Sequence, residues 1–351
     1  MAGHDNLQLV ICFAVLLLAA PFLGRFMARV FQGERTWLSP VLGPVERFTY
    51  RLSGIKPTVE MKWKQYAFAL MVFNLIGFAV VFGLQLWQSS LPLNPQKLPD
   101  VPLLLALNTA VSFMTNTNWQ AYSGESTLSY LVQMLGLNVQ NFVSAATGFA
   151  ALLAMVRGLS SKGSDLLGNF WVDLTRATLY VLLPLSMLFA VLFTSQGVVQ
   201  SFKSYTEVKT FEVQKDAVPA VAAKPAKGNE PAVAAQDAQP AVVAQQIPLG
   251  PAASQIAIKQ LGTNGGGFFG VNSSHPLENP TPFSNFLQML AILLLPVACV
   301  TMFGQMIRQK KHGYAVLTAM FVIFLAGLAV MLYFEHRGNP IFAGLTNLEG
   351  K

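Results

Sequence analysis

Charge is scarce in this sequence. Only 11% of its 351 residues are Asp, Glu, Lys or Arg, while 53% are apolar. Soluble domains carry about 25% charged residues, so the composition excludes an ordinary soluble fold and implies a polytopic membrane protein. Cysteine is nearly absent. Cys12 and Cys299 both lie in apolar runs, and two isolated thiols support neither a disulfide framework nor a metal cluster. No G-x-x-x-x-G-K-[ST] sequence occurs. Residues Gly265 to Gly270 fit G-x-G-x-x-G, but no βαβ pattern surrounds them and no acid follows about 20 positions on, which excludes a dinucleotide site. The first apolar run lacks a basic start: His4 and Asp5 precede it, and Arg25 and Arg29 follow it. A secretory signal has the opposite arrangement, so the run reads as a retained span with its N-terminus outside.

Six spans follow from the apolar runs: Leu7–Leu23, Gln65–Gln88, Ser126–Val156, Leu174–Ser195 with Pro184 as a kink, Phe283–Ile307 and Tyr314–Phe334. The net charge of +7 invites a nucleic-acid reading, but its distribution argues for membrane orientation. Fourteen of the 23 Lys and Arg fall in three loops, Arg25–Lys64, Arg157–Arg176 and Arg308–His312. These are cytoplasmic by the positive-inside rule. Asp173 and Arg176 read as anchors at the membrane interface. Gly197–Gly250 is different: its second part is Ala/Pro/Val/Gln low complexity, expected to be a mobile outer insertion.

Two apolar segments are too short to cross. Leu103–Met114, within LLLALNTAVSFMTNTNWQ, runs into Thr115-Asn116-Thr117-Asn118. A second, within PAASQIAIKQLGTNGGGFF, runs into Thr263-Asn264-Gly265-Gly266-Gly267. A stretch of 10–14 apolar residues often enters the bilayer and returns. Both read as re-entrant half-helices entering from the outer face. Thr115-Asn116 matches Thr263-Asn264, and Gln133-Met134-Leu135 matches Gln288-Met289-Leu290, with 18 residues from Thr to Gln in one unit and 25 in the other. The pattern is span, half-helix, loop, span, twice over, as internal repeats in transporters lead one to expect. The chain divides accordingly into 1–64, 65–157, 158–312 and 313–351.

Such loops suit a dehydrated monovalent cation. Backbone carbonyls replace its water, Gly leaves the backbone uncovered, and Thr adds a hydroxyl oxygen. A half-helix whose C-terminus points inward aims its negative end at the cation. Asn116, Asn118 and Asn264 are placed to brace the loops. No carboxylate lies within Thr115–Gln120 or Thr263–Phe269, whereas a divalent site recruits carboxylates. Glu125 and Glu278 lie beyond the loops, and His275 and Glu278 read as turn residues. Lys259 would repel a cation from the pore, so it is expected on the outer or packing side.

At TNTNWQAYSGESTLSY and GTNGGGFFGVNSSHPLENPT, and again at LPLNPQKLP and LTNLEGK, the sequence resembles the KdpA family, the potassium-translocating subunits of bacterial Kdp pumps. The resemblance runs over nearly the whole chain, outside the low-complexity insertion. It implies an all-α, potassium-channel-like fold with four pore repeats plus an extra first helix, in the bacterial inner membrane. Thr115, Asn116, Thr117 and Asn118 would form the first filter strand, with Gln120 beside its mouth. Thr263, Asn264, Gly265, Gly266 and Gly267 would form the second, Gly265 being the most telling to mutate. The resemblance also implies that potassium is the substrate, with no covalently bound cofactor and no ATP hydrolysis by the subunit itself. A P-type ATPase subunit, two small accessory subunits and membrane lipid would be its partners. The absence of Asp-Lys-Thr-Gly agrees with that role. Two filter loops and the first span of a third repeat, where the family has four loops, imply a truncated chain. A free-standing potassium channel and an inactive remnant or assembly scaffold are the alternatives.

Overall fold

A computed structural model describes residues 2–160, 163, 165–209 and 244–337. Among them the chain is helical apart from one short two-stranded ladder. Among the described residues, six helices are long and apolar enough to cross a membrane: Leu7–Phe31, Trp63–Leu86, Val132–Ser160, Phe170–Ser195, Pro282–Met306 and Lys310–Glu335. These are the six expected spans, with shifted ends.

Helix α1 (Ala2–Phe31) continues past the expected stop at Leu23. The basic residues do not end it, because Arg29 sits in the last turn, where a cation complements the helix C-terminus. Its guanidinium also bonds the Arg35 carbonyl at 2.7 Å. The following loop contains α2 (Ser39–Leu52), with Pro40 in its first turn. Trp37, Val41, Phe48 and Leu52 expose one apolar stripe, while Tyr50 is buried. This is the pattern of a helix lying in the membrane interface.

After α3 (Trp63–Leu86) comes α4 (Leu103–Met114), twelve residues long and too short to span. A single turn, α5 (Gly124–Thr127), leads to a π-helical stretch, Val132–Asn138, that continues as α6 (Val139–Ser160). The next span is compound: α7 (Phe170–Arg176), a π-helical stretch Ala177–Leu182, and α8 (Leu183–Ser195). Pro184 opens α8. Its ring crowds the carbonyl four residues back and it donates no hydrogen bond, and the wider π turns before it absorb the mismatch.

Strand β1 (Thr206–Lys209) pairs antiparallel with β2 (Ala244–Ile247), so both ends of the insertion Gly197–Gly250 are held in a ladder, β2 coming from the end of the low-complexity part itself. Residues 210–243, most of the low-complexity part, lie outside the described residues, as does the LTNLEGK stretch at 345–351. Then follow α9 (Ala252–Leu261), ten residues long, α10 (Pro282–Met306) and α11 (Lys310–Arg337). A reciprocal cap starts α10: Thr281 Oγ1 accepts from the Ser284 amide at 3.0 Å, and Ser284 Oγ from the Thr281 amide at 3.1 Å. The last basic loop shrinks to a tight turn, and α11 starts at Lys310 rather than Tyr314.

Small residues let the spans approach. A Cβ on Gly24 of α1 would lie 2.6 Å from Thr301 Cβ on α10, and Gly304 abuts Gly313 across the α10–α11 turn. Asp173 and Arg176 are not simple interface anchors. Asp173 is buried and takes a two-pronged bond from Arg157 at 2.5 and 2.8 Å, with the Tyr66 hydroxyl at 2.9 Å. Arg176 holds Glu46 at 2.9 Å, joined by the hydroxyls of Tyr180 and Tyr50 at 2.7 and 2.8 Å. Burying a carboxylate without donors is costly, and each of these has at least three.

Candidate functional site

The half-helices α4 and α9 end the same way. At the end of α4 the Thr115 amide bonds the Val111 carbonyl (3.1 Å), Asn116 bonds Phe113 (3.3 Å), and Thr117 and Asn118 both bond Ser112 (3.1 Å each). At the end of α9 the Gly262 amide bonds Ile258 (2.7 Å), Thr263 bonds Gln260 (3.1 Å), and Asn264 bonds Lys259 (3.0 Å). The chain turns left-handed at Asn116 (φ 61°) and Asn118 (56°) in the first loop, and at Thr263 (55°) and Gly265 (95°) in the second. Both signatures pair Asn116 with Thr263, Thr117 with Asn264 and Asn118 with Gly265. The loops therefore match one residue away from the letter-by-letter alignment, which pairs Thr115 with Thr263. Identical letters mislead here because hydrogen bonding at a helix C-terminus, not side-chain identity, sets the turn. Thr263 is the costliest member, since a β-branched residue at positive φ is strained by roughly 1–3 kcal/mol.

Side chains lock the two loops together. Asn116 Nδ2 donates to the Gly262 carbonyl at 3.2 Å, and Asn264 Nδ2 donates to Asn116 Oδ1. Gln120 and Gly267 bond reciprocally: the amide nitrogen of Gln120 to the Gly267 carbonyl (3.0 Å), and the Gly267 N–H to Gln120 Oε1 (3.1 Å). Gly266 rests on the main chain of Asn118, leaving no room for a Cβ. The bracing expected of the three asparagines is present. Two of their partners were not singled out from the sequence. Ser144 Oγ donates to Asn116 Oδ1 at 2.8 Å, and Asn118 Nδ2 donates to Asn141 Oδ1 at 2.6 Å. Both partners come from α6. The available signal was a polar run, Asn138, Gln140, Asn141 and Ser144, inside an apolar span.

This bracing leaves the main-chain oxygens uncommitted. Among the described residues, no hydrogen bond reaches the carbonyls of Thr115 to Asn118 or of Thr263 to Gly266. Asn118 Oδ1 and Asn264 Oδ1 are buried without a donor. Exposure alternates: Thr115, Thr117, Thr263 and Gly265 are open, while Asn118, Asn264 and Gly266 are buried. Both half-helices bring their C-terminal, negative ends to this place. Among the described residues no group of three His, Cys, Asp or Glu could hold a metal ion. The ligand chemistry is that of neutral oxygen, which suits a large monovalent cation.

The acids around the loops are otherwise engaged. Glu125 Oε2 accepts from the Gly270 amide at 2.9 Å. His275 forms a turn, stacks on Phe269 with ring centroids 3.9 Å apart, and is held below its ordinary pKa by burial. Glu278 is more than a turn residue: it is fully buried and paired with Lys259, which lies on the packing side.

Residues 10–351 match the family profile of the potassium-transporting ATPase A subunit, KdpA. The chain belongs to the KdpA family. It is 53% identical over 340 residues to a relative from Pseudomonas entomophila, 54% over 345 to one from Sorangium cellulosum, and 51% over 351 to one from Bordetella pertussis. Each is named potassium-transporting ATPase potassium-binding subunit, a name that marks a transporter subunit rather than the ATP-hydrolysing one. The alignments cover 97–98% of this chain and 55–59% of those relatives, so the chain spans just over half their length. Family membership and six apolar helices together make it a multi-pass membrane protein.

Proposed function

We propose that this KdpA-family chain binds potassium on the main-chain oxygens of Thr115–Asn118 and Thr263–Gly266, with Gly267 closing the second loop through Gln120, as part of an ATP-driven uptake complex. The observation that carries the reading is the double row of uncommitted carbonyls at the ends of two half-helices. A filter needs oxygens that are fixed in place yet free of protein donors. Asn116, Asn118, Asn264 and Gln120 fix them from behind and between. Gln120 is then a brace at the pore mouth rather than a direct ligand, its amide being spent on Gly267. Potassium enters from the outer face, with the N-terminus outside and the basic loops in the cytoplasm of a bacterial inner membrane. A P-type ATPase subunit and small accessory subunits receive it and drive uptake.

Gly265 tests the site. A Cβ there meets nothing within 4 Å, so its side chain would project into the open space beside the loop. Gly265→Asp is expected to bring a carboxylate to the ion path and to lower the preference for potassium over sodium roughly tenfold. Competitive rubidium binding in the presence of sodium measures this, and an unchanged preference contradicts the assignment. The partner is tested separately by co-purification with a P-type ATPase subunit; a chain that binds potassium yet recruits no ATPase would be a free-standing channel or carrier.

A further inference from the structure

Lys259 is an anomaly at a cation site. It lies on α9, two residues before the last helical residue, Leu261, and it is completely buried. Its carbonyl accepts the Asn264 amide at 3.0 Å, so its backbone is part of the turn that starts the second loop. Its side chain runs behind the loop: a Cβ on Gly267 would lie 2.7 Å from Lys259 Cδ and 2.8 Å from Nζ. The Lys259 ammonium group thus stands directly behind the Gly267 backbone. Glu278, also completely buried, pairs with that ammonium. Glu278 is held in turn by a separate polar network. Its amide bonds the His275 carbonyl at 2.9 Å, and its carbonyl accepts from Gln288 Nε2 at 3.0 Å. Gln288 Oε1 accepts from Gln260 Nε2 at 2.7 Å, and Gln260 also donates to Ser273 at 2.8 Å. The second carboxylate oxygen of Glu278 has no partner.

We infer that Glu278 is a counter-ion that sets cation affinity, cancelling the field of Lys259 so that the second loop can hold a cation. The inference rests on the potassium reading of that loop. Lys259 packs against the backbone at Gly267, where a Cβ would collide with its side chain. Its charge is tolerable beside a cation only while Glu278 offsets it, because attraction and repulsion are weakly screened inside a protein.

The sign of the effect separates this role from simple packing. The full chain in lipid nanodiscs is titrated calorimetrically with potassium chloride at constant ionic strength. Glu278→Gln removes the counter-charge beside Lys259 and is expected to weaken potassium binding roughly tenfold or more. Lys259→Met keeps the volume without the charge and leaves Glu278 alone behind the loop, so it is expected to bind potassium no more weakly than the parent, and the double variant Lys259→Met/Glu278→Gln is expected to bind within about threefold of the parent. Equal weakening in all three variants overturns the inference while leaving the potassium site intact. A parent chain that binds no potassium overturns both. If Glu278→Gln does not fold, the double variant decides: binding about tenfold weaker or worse contradicts the counter-ion role, and binding near the parent's supports it.

Discussion

At the scale of single residues, adjacent glycines in the second loop do different work. Gly265 adopts φ 95° with open space around it, so its requirement is conformational. Gly266 sits against the main chain of Asn118, so its requirement is steric. Gly265→Ala is expected to cost roughly 1–2 kcal/mol through backbone strain. Gly266→Ala pushes the two loops apart, costing about 1–3 kcal/mol and weakening potassium binding more. Thermal unfolding alongside potassium titration separates them; equal losses of affinity would contradict the distinction. The residue types of the loops were readable in the sequence, because Thr, Asn and Gly after a short apolar run have few other uses at membrane depth. Their register was not, since it depends on how each helix closes its last turn. Nor were Asn141, Ser144 and the Lys259–Glu278 pair assigned, because which face of a span or turn meets the loop emerges only on packing.

At the scale of elements, the spans were legible from hydropathy and their joints were not. The π turns before Pro184 and the burial of α2's polar side are tertiary results. Glu46 ties α2 to the membrane bundle. Burial alone would raise its pKa, but bonds from Arg176, Tyr180 and Tyr50 outweigh that and hold it below the ordinary carboxylate value. A carboxylate with a depressed folded-state pKa stabilises above its unfolded value, and that contribution fades as pH falls through the folded one. Acidification below about pH 4 is therefore expected to loosen α2. Trp37 fluorescence in nanodiscs follows the change, and Glu46→Gln should abolish its pH dependence while leaving α2 looser at neutral pH. An acid transition unchanged in Glu46→Gln would refute this tie. The Arg157–Asp173 bond makes a second element-level prediction. Arg157→Met strands a buried carboxylate and is expected to destabilise the junction of α3, α6 and α7 by about 3–5 kcal/mol. Urea unfolding measures it, and a loss within about 1 kcal/mol of zero would contradict the structural weight given to this bond.

At the scale of the whole molecule, lipid and water impose different demands on one chain. The six spans satisfy their backbone internally, as hydrocarbon requires. The half-helices α4 and α9 stop short and expose their terminal oxygens where the two loops meet. All-α architecture followed from composition and run length, and the KdpA family from the long motifs around those loops. The fit between the loops was legible in neither, because Gln120 lies 147 residues from its hydrogen-bond partner Gly267. The central claim is that these two loops together hold a potassium ion. Its most direct test is diffraction from crystals of the chain grown with thallium(I), a potassium surrogate with strong anomalous scattering. The account predicts an anomalous peak between Thr115–Asn118 and Thr263–Gly267 that fades when potassium replaces thallium and persists when sodium is added. A peak elsewhere, or density at the loops that sodium displaces as readily as potassium, would contradict it.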